Sequence, residues 1–248
     1  MPDVRPDRAL LVARIERLLA EQGLRPGERL GSERGLAESL GVTRSALRDA
    51  LDVLAGSGRV RRVMGRSGGV YASDGRIERR LNTIEGVPAL LRQQGVGLTT
   101  VVLRADLGLA TPPERRALRL PEDGVVVRVR RRRDAGGRPW SLERSTFPAV
   151  RVPGILERDL SGSLYELLGS GYDASPVEAE EEVDVRGADA DAAAHLDLAE
   201  GEPVLHVWRV ASTADGLPIE LGTDLFRADR TRLHLRRYGA SWKRSAQR

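Results

Sequence analysis

The residues with most chemistry to offer are arginines. In the run Val129-Arg130-Arg131-Arg132-Arg133, an extended backbone turns successive side chains to opposite faces, so Arg131 and Arg133 share one face and Arg130 and Arg132 the other. Two guanidinium groups buried on one face repel each other unless an anion bridges them. The run therefore reads either as an anion-binding site or as a strand end solvated on both faces. Nothing nearby supplies a catalytic set. There is no cysteine, which excludes thiol catalysis, disulfides and thiolate-bound metal. The histidines His195, His206 and His234 lack metal-ligand spacing, and His206 reads as an ordinary strand residue. No Gly-rich phosphate loop and no Gly-x-Ser-x-Gly elbow is present. The acidic stretch 178–191, with Glu180, Glu181, Glu182 and Asp184, lacks a turn glycine at calcium-loop spacing and reads as a solvated strand or loop edge. Neither a metal nor a cofactor is expected.

A second group of arginines is set by helical spacing. Leu47, Ala50, Leu51 and Leu54 fall on one face of a helix from Arg44 to about Ala55, while Arg44, Ser45 and Arg48 share another. Thr43 is placed to cap this helix and Gly41 to close the one before it, which runs from Ser32 through Leu40. An earlier stripe, Leu11, Ile15, Leu18 and Leu19, ends at Gly23. Two short helices joined by a tight turn, the second with a basic outer face, form the helix-turn-helix pattern. The second helix then enters the major groove by its N-terminal residues, where Arg44 and Arg48 reach phosphates or guanine edges and Ser45 a base or phosphate. Two β-type runs from Arg59 to Tyr71 flank a Gly-rich turn and read as a hairpin wing. Its Arg61, Arg62 and Arg66 suit the phosphate backbone or minor groove. A solvated basic face on a small helical bundle is the alternative.

The elements that hold the first arginine group are mostly strands. Segments 99–103, 125–133, 203–210 and 217–225 read as β, with helices at 113–119, 163–168 and 188–196. Turns at 134–137 and 214–216 are of hairpin type, which predicts an antiparallel α+β domain. Residues 73–97 read as a linker plus a first helix near 87–95.

The 248 residues suit one large domain or two small ones, and 40% hydrophobic with 31% charged residues describes a globular chain. No apolar run approaches the ~20 residues of a membrane helix, and Met1 to Asp7 carries no apolar signal region. A cytoplasmic protein without membrane contact is expected. The net charge is only +4, with Lys243 the sole lysine, so the placement of the arginines matters more than their number. The basic residues Arg236, Arg237, Lys243 and Arg244 read as a loosely ordered tail.

Two stretches resemble known families. Pro26-Gly27-Glu28-Arg29-Leu30, Ser32-Glu33-Arg34, Leu36-Ala37, Gly41-Val42-Thr43-Arg44, Leu47-Arg48-Asp49-Ala50-Leu51 and Gly65-Arg66-Ser67-Gly68-Gly69 resemble the GntR winged-helix signature in order and spacing, over about residues 10–73. Gly31 is a small departure from it. The resemblance implies DNA contacts from Arg34, Arg44, Ser45, Arg48 and Gly65. Further on, Arg131-x-Arg133, Gly137-Arg138-Pro139-x-x-x-Glu143, Gly162-Ser163-Leu164-Tyr165, Leu198-x-x-Gly201 and Gly216-x-Pro218-Ile219-Glu220 resemble the UTRA effector-binding domain of the HutC subfamily. That resemblance implies a chorismate-lyase-like antiparallel sheet used for sensing, a homodimer, and a pocket at Arg131, Arg133, Glu143, Ser163, Tyr165 and Glu220. Phe226 stands where amino-sugar-phosphate sensors of the family carry tyrosine, without its hydroxyl.

The expected organisation is a winged helix at 1–73, a linker and first helix at 74–97, an α+β UTRA domain at 98–240 and a basic tail at 241–248. The expected function is a ligand-responsive regulator, a repressor in most of the subfamily. It would bind palindromic double-stranded DNA as a homodimer and sense a small anion such as a sugar phosphate or organic acid. The rival reading is a lyase-like enzyme acting on a small carboxylate.

Overall fold

In the computed structural model, residues 7–63, 65, 68–235 and 237 are described. The wing residue Arg66 and all of the tail except the exposed Arg237 lie outside them.

The head is built by capped amphipathic helices. α1 (Arg8–Glu21) starts at Asp7, whose side chain accepts from the Ala9 amide, and buries Leu11, Ile15 and Leu19. After strand β1 (Arg29–Gly31), the Ser32 hydroxyl accepts from the Gly35 amide to open α2 (Glu33–Leu40). Gly41 closes α2 in the left-handed region, at φ 66°. Thr43 then caps α3 (Arg44–Gly56), which buries Leu47, Ala50, Leu51 and Leu54. These stripes meet in one core with Val60 and Val70, from β2 (Val60–Val63) and β3 (Gly69–Ala72) of the wing. β1 joins this small sheet in the order β1-β3-β2. Three residues are too few to show a period, so β1 is invisible to patterning.

The second unit is a six-stranded antiparallel sheet. Its strands are β5 (Leu98–Leu109), β6 (Val125–Ala135), β7 (Arg138–Pro148), β8 (Glu178–Gly187), β9 (Pro203–Ser212) and β10 (Pro218–Arg227). Their order is β5-β6-β7-β10-β9-β8. One face packs Val127, Val129, Phe147 and Ile219 against the helix Leu164–Tyr172, which presents Leu164 and Leu168. The other face carries the helices Pro112–Leu118 and Ala190–Leu196, over Val126 and Leu221 and over Leu142 and Val204 respectively. The acidic stretch is β8, an edge strand, as its charge pattern suggests.

The segment between the two units is more ordered than its composition predicts. The remaining strands, β4 (Ile77–Arg80) and β11 (Thr231–His234), pair in parallel although they come from far apart in the chain. The Gln94 amide completes β4: it accepts from the Glu78 amide at 2.9 Å and donates to the Glu78 carbonyl at 2.6 Å. Between them lies the helix Val87–Gln93. The segment also touches the head. Gly95 has φ 67°, and a Cβ there would lie 2.3 Å from the Arg62 carbonyl oxygen of the wing. Gly95→Ala is therefore expected to force the head off this contact and cost about 1–3 kcal/mol, read as a lowered denaturation midpoint. An unchanged midpoint would mean that the head and the sheet are not held together here.

Candidate functional site

The arginine pair sits where alternation along β6 puts it. Arg131 and Arg133 are 3% and 2% exposed on the same face of the sheet. The anion that bridges them belongs to the protein. Glu143 of β7 stands directly across from Arg131, and its Oε2 accepts from Arg131 Nη2 at 3.1 Å and Arg133 Nε at 2.7 Å. Ser141 donates to the other carboxylate oxygen. Burial opposes ionisation of Glu143, but Arg133 and Arg131 outweigh it and hold the carboxyl at about 2. Arg131 is further committed, because its Nη1 donates to the carbonyls of Leu160 and Gly162. This clamps the loop that leads into the helix capped by Ser163. The pair thus arrives with its own counterion, Glu143, and is not a strand end solvated on both faces.

A second cluster lies on the same face. Glu220 accepts from the Ser145 hydroxyl at 2.6 Å, the Tyr165 hydroxyl at 2.7 Å and Arg209 Nε at 3.2 Å. Burial disfavours its charge, yet Arg209 and the two hydroxyls keep its pKa below the ordinary value. Arg209 Nη1 also donates to Glu181 and Asp224, each at 3.2 Å. Arg209 crosses β10 opposite Gly222, where a Cβ would come 2.7 Å from its Nη2, so this residue has to be glycine for the guanidinium to lie there. Asp224, 4% exposed, is the register partner of Glu143. Its Oδ1 has no partner among the described residues. Burial is the main cause that lifts its carboxyl to about 6, against the pull of Arg209.

Both clusters line one cavity of about 500 Å³, a size suited to a small molecule. Ser163, Tyr165 and Trp140 contribute to its wall, and residues 79–88 of the inter-unit segment form one side. On that side Arg79 donates to Glu181 at 2.9 Å, and a Cβ on Gly86 would lie 2.9 Å from Ser163 Oγ. Of the pocket residues inferred from sequence, Arg131, Arg133, Glu143, Ser163, Tyr165 and Glu220 are brought together here. Phe226 is not. It is fully buried beneath the wall, 5.0 Å from the Trp140 ring and 4.7 Å below the Arg79 guanidinium. Sequence reading missed Arg79, Glu181, Arg209 and Asp224.

In the head, Thr43 caps α3 and Arg44, Ser45 and Arg48 are exposed near its start. Arg44 has no hydrogen-bond or ion-pair partner among the described residues, so its guanidinium is uncommitted. Arg34 and Arg48 are exposed and hold only surface pairs, with Glu38 at 2.9 Å and Glu33 at 3.0 Å, which phosphate can replace at little cost. Arg62 differs. It is half-buried and binds Glu33 and Asp52, each at 2.6 Å, so it serves as a strut between the wing, α2 and α3 rather than a free cation. Glu33 is the missed residue of this group. Gly65 is exposed at φ 98° with open space around it.

Comparison with known proteins agrees in both units. Residues 93–232 match the UTRA domain, and residues 9–70 match the bacterial regulatory proteins of the gntR family. The chain is 31% identical over 222 residues to an HTH-type transcriptional regulator of Mycobacterium tuberculosis, covering 87% of this chain and 80% of that one. It is 26% identical to the HTH-type transcriptional repressor NagR of Bacillus subtilis, covering 84% of each. Among solved structures, PhnF of Mycobacterium smegmatis superposes with a TM-score of 0.66 at 26% identity, over 92% of this chain and 99% of that one.

Proposed function

The chain belongs to the GntR family of bacterial regulatory proteins, in the HutC type that carries a UTRA domain, and from that premise we propose a homodimeric, effector-responsive repressor that reads a palindromic operator. As a family member it is a DNA-binding transcriptional regulator, not an enzyme. The observation that carries the proposal is continuity between its two sites. Residues 79–88 wall the 500 Å³ cavity, Gly95 a few residues on packs on the wing, and the wing strand is tied through Arg62 and Glu33 to α3. A ligand that contacts this wall in only one of two head orientations would shift their populations, with coupling of ~1–3 kcal/mol.

The proposed effector carries an anionic group held at the Arg133 and Ser163 end of the cavity. The DNA contacts are assigned to Arg34, Arg44, Ser45 and Arg48, and to Gly65 and Arg66 of the wing expected from the sequence. The division at 73/74, 97/98 and 240/241 expected from the sequence is kept as part of this reading. One relative, NagR of Bacillus subtilis, is named as a transcriptional repressor, which supports that direction of control.

Two measurements test the reading. Selection of genomic fragments followed by footprinting should return a two-fold symmetric site with half-sites ~10 bp apart, bound by a dimer in light scattering. A monomer, or a protected site without symmetry, would remove the dimer model. A thermal-shift screen of phosphorylated sugars and organic acids should give a stabilising compound whose effect is lost in Arg133→Ala. Stabilisation that survives that substitution would place the ligand elsewhere.

A further inference from the structure

The charges around the cavity are not distributed evenly. On the β6 side, Arg131 and Arg133 face the single carboxylate Glu143, which leaves one positive charge in excess. On the β8–β10 side, Arg79 and Arg209 face Glu181, Glu220 and Asp224, which leaves one negative charge in excess. Of the charged residues that the inter-unit segment adds, Arg80 is paired with Glu78, while Glu85 accepts from the Gln93 amide and keeps its negative charge. The two ends are separated by two strand spacings, roughly 10 Å, because Arg131, Glu143 and Asp224 occupy one register row of β6, β7 and β10. The negative end also offers an acceptor: Asp224 Oδ1 is buried and unpartnered, and such an atom costs stability until a donor reaches it.

We propose that the cavity is built for a dipolar effector, with an anionic group at the Arg133 and Ser163 end and a protonated amine, or another cationic donor, on Asp224. This rests on the effector reading above and narrows it. A plain sugar phosphate or organic acid would satisfy the positive end and leave Asp224 Oδ1, the oxygen that Arg209 does not reach, without a donor. Specificity would then come from two residues outside the inferred pocket, Asp224 and the Arg209 that orients it.

Asp224 also makes the proposal pH-sensitive. Its carboxyl faces Arg209 on β9, Arg79 in the segment, Glu143 on β7, Arg131 on β6, Glu220 on β10, and Tyr165 on the helix above. With its carboxyl lifted to about 6, Asp224 is charged at pH 7.5 and largely neutral at pH 5.0. Arg133 and Arg131 hold Glu143 at about 2 against burial, so it stays charged at both.

The test uses matched probes and full-length protein. ω-Aminoalkyl phosphates and ω-hydroxyalkyl phosphates of two to six carbons are titrated calorimetrically at pH 7.5 and 5.0, with inorganic phosphate alongside. In at least one pair the amine should bind tenfold or more tightly at pH 7.5, and the advantage should shrink at pH 5.0 and vanish in Asp224→Asn. Thermal melting shows whether that variant is folded; if it is not, the pH comparison on the unaltered chain carries the test. Equal binding within every pair, or an amine advantage that persists in Asp224→Asn, would overturn the dipolar assignment while leaving the anion site in place. Failure of every probe, inorganic phosphate included, would overturn both.

Discussion

Glu143→Ala is expected to lower the stability of the protein by about 3–5 kcal/mol, the usual cost of removing one partner from a buried ion pair. The reason is local. Arg131 and Arg133 are both nearly inaccessible, and their shared counterion would be gone, leaving two guanidinium groups on one face with no carboxylate between them. Glu143→Gln should cost less, because its amide oxygen can still accept from the arginines at the Oε2 position while its NH2 group faces Ser141, whose hydroxyl can accept instead. If the cavity takes an anion, inorganic phosphate should raise the denaturation midpoint of Glu143→Ala more than that of the unaltered protein, by filling the vacated carboxylate position. A Glu143→Ala variant as stable as the parent would mean that Glu143 is not what permits the pair to be buried.

The same pair fixes a pH dependence. The Glu143 carboxyl is held at about 2 by Arg133 and Arg131 in spite of burial, below its value in an unfolded chain. A depressed carboxyl contributes stability that is fully present above the unfolded value of 4.5 and is lost as pH falls toward about 2. Acid unfolding of the sheet should therefore be steep between those limits, and Glu143→Gln should flatten it. An acid transition of unchanged slope in Glu143→Gln would assign it to other carboxylates.

What could be read from the sequence, and what could not, follows from how far each signal reaches along the chain. The helices of the head announce themselves within a few residues, through the Ser32 and Thr43 caps, the Gly41 stop and the leucine stripe of α3. The shared face of Arg131 and Arg133 is equally local, since it needs only the alternation of a strand. The identity of their counterion depends on the register between β6 and β7, which no pattern within either strand encodes. Arg209 and Asp224 were hidden for the same reason. Each lies in a strand rich in apolar residues, and only the pairing of Arg209 with Gly222 shows why a guanidinium fits there. The strand Ile77–Arg80 pairs with residues some 150 positions away and carries three charges in four residues, so composition assigns it to a linker. Phe226 failed in the opposite sense: a correct strand position does not say whether the ring lines the cavity or lies under Trp140.

The head makes the clearest separation between a cation available to DNA and one already in use. Arg44→Ala is expected to weaken specific operator binding by about 1–3 kcal/mol, or roughly ten- to a hundredfold, with no change in melting temperature, because Arg44 has no partner among the described residues to lose. If the contact is to phosphate, the loss should be uniform across sequences and the salt slope should fall by about one; if it is to a guanine edge, discrimination at one position should relax instead. Arg48→Ala should behave similarly, since its guanidinium is exposed and Glu33 keeps Arg62 as a partner when Arg48 is removed. Arg62→Ala should show the reverse order of effects. Its guanidinium joins Glu33 and Asp52 across three elements, so its loss should lower the melting temperature first and weaken DNA binding only through a displaced α3. Measured side by side, an Arg44→Ala variant that melts early but binds the operator normally would remove α3 as the reading helix. The same result for Arg62→Ala is what the strut predicts.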